Sequence, residues 1–452
     1  MVMAREAAER LTKTGPGTPM GDVFRRYWLP AFLSERLPEP GSGPIAVRLL
    51  GERLVAYRDE AGNVGLVQEA CPHRGASLAY ARCEPGGLRC IYHGWKVDQA
   101  GDVVDAPCEN DPARFLGKVT ARAYPTREAG GLVWTYMGPS ESQPSFPEWP
   151  FTGLPDSHVL PVHYLQECNY FQAIEGEFDG AHVSFLHMTN QMLQLHRDRS
   201  RPLDYWTALS FDRSPRAYND ETPWGVDTIW RWDLEDLDEP GQVDPNLDLY
   251  LVHAFVAPCF SLVADFGAGP AFWHAFVPVD DEHHLLYYVH YDRQAPLSDE
   301  MRAQVTAMYG HDRVHRDNDY RPHGNRENRH FQDFGKNPDE YSGITGIAAQ
   351  DIAIIQSQGV VVDRTAEHLG GSDACIAYIR RYMLKVAERI QSGEEPPRPP
   401  TARGFEALES YAAVVPKGTD WREVTRQGPH GKPIDPVPDG GEGAELSTVL
   451  SS

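Results

Sequence analysis

Two short cysteine–histidine pairs carry the strongest chemical signal in this chain: Cys71-Pro-His73 and Cys90-Ile-Tyr-His93, with sixteen residues between His73 and Cys90. Each pair offers one thiolate and one imidazole from a single short stretch. Together they supply two sulfur and two nitrogen donors, the set that holds a [2Fe–2S] cluster with cysteines on one iron and histidines on the other. Gly75 and Gly94 follow the pairs and suit tight turns, Pro72 stiffens the first loop, and Tyr92 and Trp95 can shield a cluster from water. A structural zinc site is the competing reading. Zinc modules usually separate a paired-cysteine half from a histidine half, often on a helix. Here both halves are mixed and neither reads as helical, which favours iron and sulfide.

A second group lies in Glu175-Gly-Glu-Phe-Asp179-Gly-Ala-His182-Val-Ser-Phe-Leu-His187. Asp179 and His182, three apart, share a helical face. His182 and His187 are five apart, which a straight helix would separate by about 140°. They can grip one ion only if the helix ends, kinks or bulges between them. Two imidazoles and a carboxylate make the facial triad of a non-haem ferrous centre with open positions for O₂. By itself such spacing is common among ordinary polar residues; the cluster signal upstream gives it weight.

These groups need elements to hold them. From Pro44 to Gly138 the pattern is of short strands and turns: Ala46–Leu50, Arg53–Arg58, Val64–Gln68 and, after the ligand loops, Gly131–Tyr136. Asp59–Gly62 and Asp98–Gly101 read as connecting turns. Pro139–Pro155 marks a boundary. Beyond it, Asn169–Phe185 is helix-like, Asp248–His290 reads as long antiparallel strands, and Ser298 caps a helix through Met308. Ile376, Ile379, Met383, Val386 and Ile390 form the stripe of an amphipathic helix, with Ser372 as N-cap and Gly393 as stop. Pro396–Pro400 reads as a rigid linker and the last dozen residues as a frayed tail. The expected division is 1–43 as a segment packing on the catalytic part, 44–140 as an all-β cluster domain, 141–430 as the catalytic domain and 431–452 as a flexible tail.

With 452 residues, 41% of them apolar, the chain can build two cores. A net charge of −23 argues against nucleic acid and anionic membrane surfaces as partners. Seven cysteines, an odd and low count, do not suggest a disulfide framework. The start, Met1-Val-Met-Ala-Arg-Glu, has no apolar leader, and the apolar region Leu249–Val279 is interrupted by His253, Pro258 and Asp265. A cytoplasmic protein without membrane spans is expected.

Taken together, these motifs resemble the α subunit of a Rieske non-haem iron oxygenase, and within that family the phthalate dioxygenase group. Phe24-Arg-Arg-Tyr-Trp28-Leu-Pro, the two ligand loops, Glu175–His187, Phe276–Asp281, Gly343–Asp351 and Asp363–Gly370 carry the similarity. The resemblance implies an α+β chain: an N-terminal Rieske domain and a helix-grip catalytic domain, assembled as a head-to-tail trimer or a multiple of it. It implies Cys71 and Cys90 on one cluster iron and His73 and His93 on the other. It also implies His182, His187 and Asp351 on a mononuclear Fe(II), with Asp179 bridging to a cluster histidine of a neighbouring subunit. The ligand loops lack the extra cysteine pair of high-potential respiratory Rieske proteins, which fits a low-potential oxygenase cluster.

No flavin or nicotinamide fingerprint is present, so electrons are expected from a separate ferredoxin or flavin-dependent reductase. Arg74, Arg82, Arg89 and Lys96 suggest a basic docking face for an acidic donor. Glu175 is a candidate for proton delivery near the iron. Asp227, Trp230, Arg231, His253 and His274 are candidates for contacting an aromatic substrate, along with Phe255. Asp227 stands where phthalate-type members are expected to have an arginine, and it would repel a carboxylate; Arg231, Arg197 or Arg199 could replace that arginine. The function expected is ring hydroxylation or oxidative demethylation with O₂. A Rieske electron carrier or redox sensor is the alternative, and a zinc-stabilised binding module a third reading.

Overall fold

The computed structural model describes residues 3–189, 212–233, 246–263, 270–316 and 319–427. Arg197, Arg199 and the 431–452 tail lie outside them. In the N-terminal part, strands Ile45–Leu49, Glu52–Arg58, Val64–Gln68 and Ala123–Tyr124 form one antiparallel sheet. A second runs through Arg82–Glu84, Gly87–Arg89, Lys96–Val97 and Val103–Asp105. The turns at Asp59–Gly62 and Asp98–Gly101 close as expected: each glycine has φ of 90° and its N–H donates to the aspartate carbonyl. A small core of Val55, Tyr57, Val67, Leu78, Leu88 and Val97 fills the space between these sheets and includes Cys71 and Cys90.

The catalytic part is built on an eight-stranded antiparallel sheet. Its order in space is Val159–Gln166, His284–Tyr291, Ala271–Pro278, Phe260–Val263, Leu247–Val256, Gly225–Asp233 and Arg216–Glu221, with Tyr411–Pro416 also pairing to Leu247–Val256. Side chains alternate between its faces. Helices Tyr170–Glu177 and Ala374–Gln391 pack over the inner face. The outer face is covered twice. Trp273 and Phe260 meet Trp134, Trp149 and Phe151 at ring separations of 5.1–5.6 Å wherever Trp273 is a partner. Ile229, Tyr250 and Val252 meet Val424 of the helix Trp421–Gln427.

Ser298 does cap Asp299–Tyr309, accepting from Met301 N–H at 3.1 Å. The helix Ala374–Gln391 buries Ile376, Ile379, Met383, Val386 and Ile390 as its stripe requires, but its N-cap is Asp373 because residues 371–373 form a preceding 3₁₀ turn. Asn169–Phe185 is not one helix. Asn169 caps Tyr170–Glu177; the chain then turns through Asp179, whose carboxylate accepts Ala181 N–H, and restarts as the four-residue Val183–Leu186. Gly180 sits so close to the Trp230 ring that a Cβ would collide with it. Pro396–Pro400 is no free linker: Pro396, Pro397 and Pro399 are buried, and Tyr27 Oη donates to the Pro397 carbonyl at 2.8 Å. Among the described residues no helix is long and apolar enough to cross a membrane.

Glu175 departs from its expected part in proton delivery. Arg364 Nε and Nη2 each lie 2.9 Å from its two oxygens, and Arg380 Nε is 2.6 Å from Oε1. Arg380 turns its other nitrogens to Glu367 at 2.6 and 3.0 Å. Both oxygens of Glu175 are thus committed to a buried structural clamp. Glu175→Ala should cost about 3–5 kcal/mol by stranding the buried Arg364 guanidinium and taking one of the two carboxylate partners of Arg380. Thermal unfolding checks this, and an unchanged Tm would remove the clamp from the stability account.

Candidate metal centres

The two cysteine–histidine loops share one backbone design. Each cysteine N–H donates to the carbonyl five residues on (Ala76, 2.8 Å; Trp95, 2.9 Å), and each cysteine carbonyl accepts from the glycine four residues on (Gly75, 2.8 Å; Gly94, 2.9 Å). Both glycines have positive φ, 77° and 75°, which a side chain would strain. The design points Cys71 and Cys90 inward, each 3% exposed, and brings the rings of His73 and His93 to 4.6 Å edge-to-face. His73 also stacks on Trp95 at 4.6 Å. Burial, together with the neighbouring Cys90, pushes the Cys71 thiol up to about 11. Two thiolates side by side in an apolar pocket need a compensating cation, which suits a cluster. Sequence reading missed Glu109, which accepts from Trp95 Nε1 at 3.3 Å and lies 4.0 Å from His73 Nε2; no spacing rule marks a lone glutamate fourteen residues on.

Of the four basic residues expected to form a docking face, Arg74 and Arg82 are exposed, whereas Arg89 and Lys96 are engaged by the chain itself. Arg89 is held by Glu84 and Asp105 at 2.7 and 2.8 Å and by the Gly94 carbonyl at 2.6 Å, so it braces the second ligand loop. Lys96 donates to the Pro85 carbonyl, and Arg74 lies over the Tyr92 ring.

His182, His187 and Asp351 converge on one point. His182 precedes and His187 follows the single turn Val183–Leu186, so the break in the helix lets both rings face the same way. Their Nε2 atoms are 3.1 Å apart, and Asp351 Oδ1 lies 3.7 Å from the first and 3.2 Å from the second. Asp351 comes from the helix Ile347–Ser357. The opposite ring nitrogens settle the tautomers. His182 Nδ1 lies 2.6 Å from the Asp179 carbonyl, and His187 Nδ1 lies 2.6 Å from Gln350 Oε1, whose amide donates to Glu340 and the Ile344 carbonyl. Gln350 Oε1, fixed by those two donations, and the Asp179 carbonyl can only accept, so each Nδ1 carries its proton and each neutral ring aims its Nε2 lone pair inward. Two lone pairs and a carboxylate facing one another repel unless a cation sits between them. These residues fit a mononuclear divalent metal with a facial donor set. Gln350 carried no signal in the sequence; Asp179 contributes through its backbone, with its carboxylate Oδ2 4.0 Å from His182 Nδ1.

Strand alternation sorts the substrate candidates. On Gly225–Asp233, Trp230 faces inward against Gly180 and Val183, beside the metal-binding turn. His253 stands opposite Thr228 on the same face, and His274 joins Glu177 there at 2.8 Å. Burial lowers His253 to about 4. Asp227 and Arg231 alternate with Trp230 and project outward with Ile229, away from the metal point. Arg231 binds Asp248 at 2.9 Å, and Asp227 lies across from Asp220. Neither is placed to meet a substrate at the triad, and the expected repulsion of a carboxylate by Asp227 falls away.

A Rieske-type cluster domain and a helix-covered sheet bearing a two-histidine, one-carboxylate point define the terminal oxygenases. The comparisons agree: residues 27–125 match the Rieske [2Fe-2S] domain family and residues 135–434 the family described as LigXa C-terminal domain like. The chain is 35% identical to the phthalate 4,5-dioxygenase oxygenase subunit of Pseudomonas putida, over 90% of this chain and 91% of that one. It is 33% identical to the 3-chlorobenzoate-3,4-dioxygenase oxygenase subunit of Comamonas testosteroni, over 93% and 97%. The terminal oxygenase of carbazole 1,9a-dioxygenase from Nocardioides aromaticivorans shares the fold, with a TM-score of 0.54 and 19% identity over 90% of this chain and all of that one. The chain belongs to the Rieske non-haem iron oxygenase α-subunit family, and is an oxygenase carrying a [2Fe–2S] cluster and a mononuclear iron.

Gln350→Leu should release His187 and weaken iron binding about 10–100-fold, read by chelator competition on the iron-loaded protein; unaltered affinity would reduce Gln350 to packing. Asp227 offers a pH test. Burial and Asp220 push its carboxyl up to about 7, so the fold tolerates the protonated form better and loses stability as pH rises from the ordinary carboxylate range through 7. Asp227→Asn should therefore raise Tm at about pH 8 and leave it unchanged at about pH 4.

Proposed function

We propose that this chain oxidises an aromatic substrate, by ring hydroxylation or by oxidative demethylation, with electrons delivered by a ferredoxin or flavin-dependent reductase. The observation that carries the reading is the inward convergence of His182 Nε2, His187 Nε2 and Asp351 Oδ1 on the same chain as the paired thiolate–imidazole loops. An electron carrier has no use for that convergence. In this proposal Cys71, His73, Cys90 and His93 hold the cluster, and His182, His187 and Asp351 hold Fe(II). When bound, the cluster supplies single electrons and the ferrous ion supplies the centre at which O₂ reacts.

The chain's own residues do the rest. The Asp179 carbonyl and Gln350 fix the two imidazoles in one tautomer, so the donors are aligned before any ion arrives. Trp230, His253 and His274 share the inner face of the sheet, with Trp230 against the metal-binding turn, and in this proposal they would bound the space for an aromatic ring. Relatives support both reaction types: one is a chlorobenzoate dioxygenase subunit, and a 30% identical one from Sphingobium sp. is a 5,5'-dehydrodivanillate O-demethylase subunit. Solved complexes of a carbazole dioxygenase with its ferredoxin support the partner class.

We further propose a head-to-tail ring of three subunits or a multiple, in the cytoplasm. Tyr80, Ile91 and Tyr92 are exposed around the cluster loops, while Phe185, Tyr341 and Ile354 are exposed around the triad. Two different apolar patches on one chain suit a heterologous contact that closes by rotation. Such packing would set the partially exposed Asp179 carboxylate against a neighbour's cluster loop and give electrons a route between chains. All seven cysteines are free, in keeping with a reducing compartment.

A panel of benzoates, methoxylated aromatics, phenols and aromatic amines, run with a surrogate reductase and labelled O₂, tests the function. At least one member should stimulate O₂ uptake and yield either a labelled diol or formaldehyde. O₂ uptake indifferent to every aromatic would contradict the proposal.

A further inference from the structure

The inner face of the catalytic sheet carries a polar stripe that the triad leaves unused. His253, His274, Tyr288 and His290 project from neighbouring strands toward the covering helices. Buried polar groups need partners, and some here have them. His290 Nε2 meets His311 Nε2 at 2.9 Å, and His311 Nδ1 meets the Tyr164 hydroxyl. Glu177, the last residue of its helix, reaches down so that Oε1 lies 2.8 Å from His274 Nδ1.

What remains is specific. Among the described residues, His274 Nε2 and both ring nitrogens of His253 have no hydrogen-bond partner, and His274 is only 6% exposed. The place is close to the triad: Glu177 stands two residues before Asp179, whose carbonyl holds His182 Nδ1, and Trp230 on the same sheet face packs against Gly180. A carboxylate only accepts hydrogen bonds, so Glu177 holds His274 with a proton on Nδ1, the tautomer whose Nε2 bears the lone pair. The inward-facing residues of the five strands from Gly225 to Tyr291, among those described, include no lysine or arginine. The stripe therefore lacks a clamp for a carboxylate.

We propose that His274, positioned by Glu177, anchors the substrate by accepting a hydrogen bond from an O–H or N–H on the aromatic ring, selecting phenols or aromatic amines. This rests on the oxygenase reading above and narrows its substrate class.

The test is calorimetric titration of the iron-loaded, cluster-containing protein with phenol, aniline, anisole and benzoate. Phenol or aniline, whichever is the true donor type, should bind at least about tenfold more tightly than anisole, which matches phenol but has no hydrogen to give. His274→Phe keeps the ring and should bring the donor ligand down to the anisole level without moving anisole. Glu177→Gln is isosteric and can donate to Nδ1, shifting the ring proton to Nε2; it should move preference toward anisole and benzoate. Iron and sulfide content should be unchanged in both variants. Equal binding of phenol, aniline and anisole, tightest binding of benzoate, or variants that weaken all ligands alike would overturn the proposal. Aromatic-stimulated O₂ uptake alongside such a result would sink this inference alone, whereas no aromatic binding at all would sink the oxygenase substrate reading with it.

Discussion

Two imidazoles, each giving its Nδ1 proton to an oxygen behind it, are left with lone pairs 3.1 Å apart across an inward-facing gap. With the Asp351 carboxylate closing the third side, the arrangement repels itself until a cation enters. Much of the catalytic domain can be understood as what holds that repulsive geometry still. The helix must break after Glu177, Gly180 must lie flat on Trp230, and Val183–Leu186 must make one turn and no more. The helix Ile347–Ser357 then delivers Asp351 and, one residue earlier, the Gln350 that orients His187. Binding energy for metal and rigidity of the fold are in this sense the same quantity.

The cluster end obeys a parallel logic with softer donors. Two loops of the same hydrogen-bonded form bury two thiols and leave two imidazoles partly exposed. Exposed apolar residues, Tyr80, Ile91 and Tyr92, rim these loops, and a different set, Phe185, Tyr341 and Ile354, rims the triad. Arg89 belongs to this scaffold: it spends its donors on Glu84, Asp105 and the Gly94 carbonyl.

The short motifs were legible because their chemistry is local. Cys71, His73, Cys90 and His93 declare a donor set by identity and spacing, and the turns at Gly62 and Gly101 follow from residue type alone. The need for a helix break between His182 and His187 was also legible, since five residues cannot share one helical face. Its form was not, because Gly180 is constrained by a tryptophan fifty residues away. Asp227 and Arg231 illustrate a different limit. A strand shows which residues share a face but not which face meets the site, and an odd number of steps, three to Asp227 and one to Arg231, puts both on the face opposite Trp230. Glu175 and Glu177 differ by two positions and by everything in their surroundings: the first faces Arg364 and Arg380, the second His274. Only tertiary contacts distinguish them.

Anomalous scattering at the iron absorption edge, from crystals of the metal-loaded protein, bears most directly on this account. It predicts one isolated iron equidistant from His182 Nε2, His187 Nε2 and Asp351, and a separate pair of irons between the Cys71/Cys90 sulfurs and the His73/His93 rings. A triad without an iron peak, or an iron bound through the Nδ1 atoms instead, would contradict it.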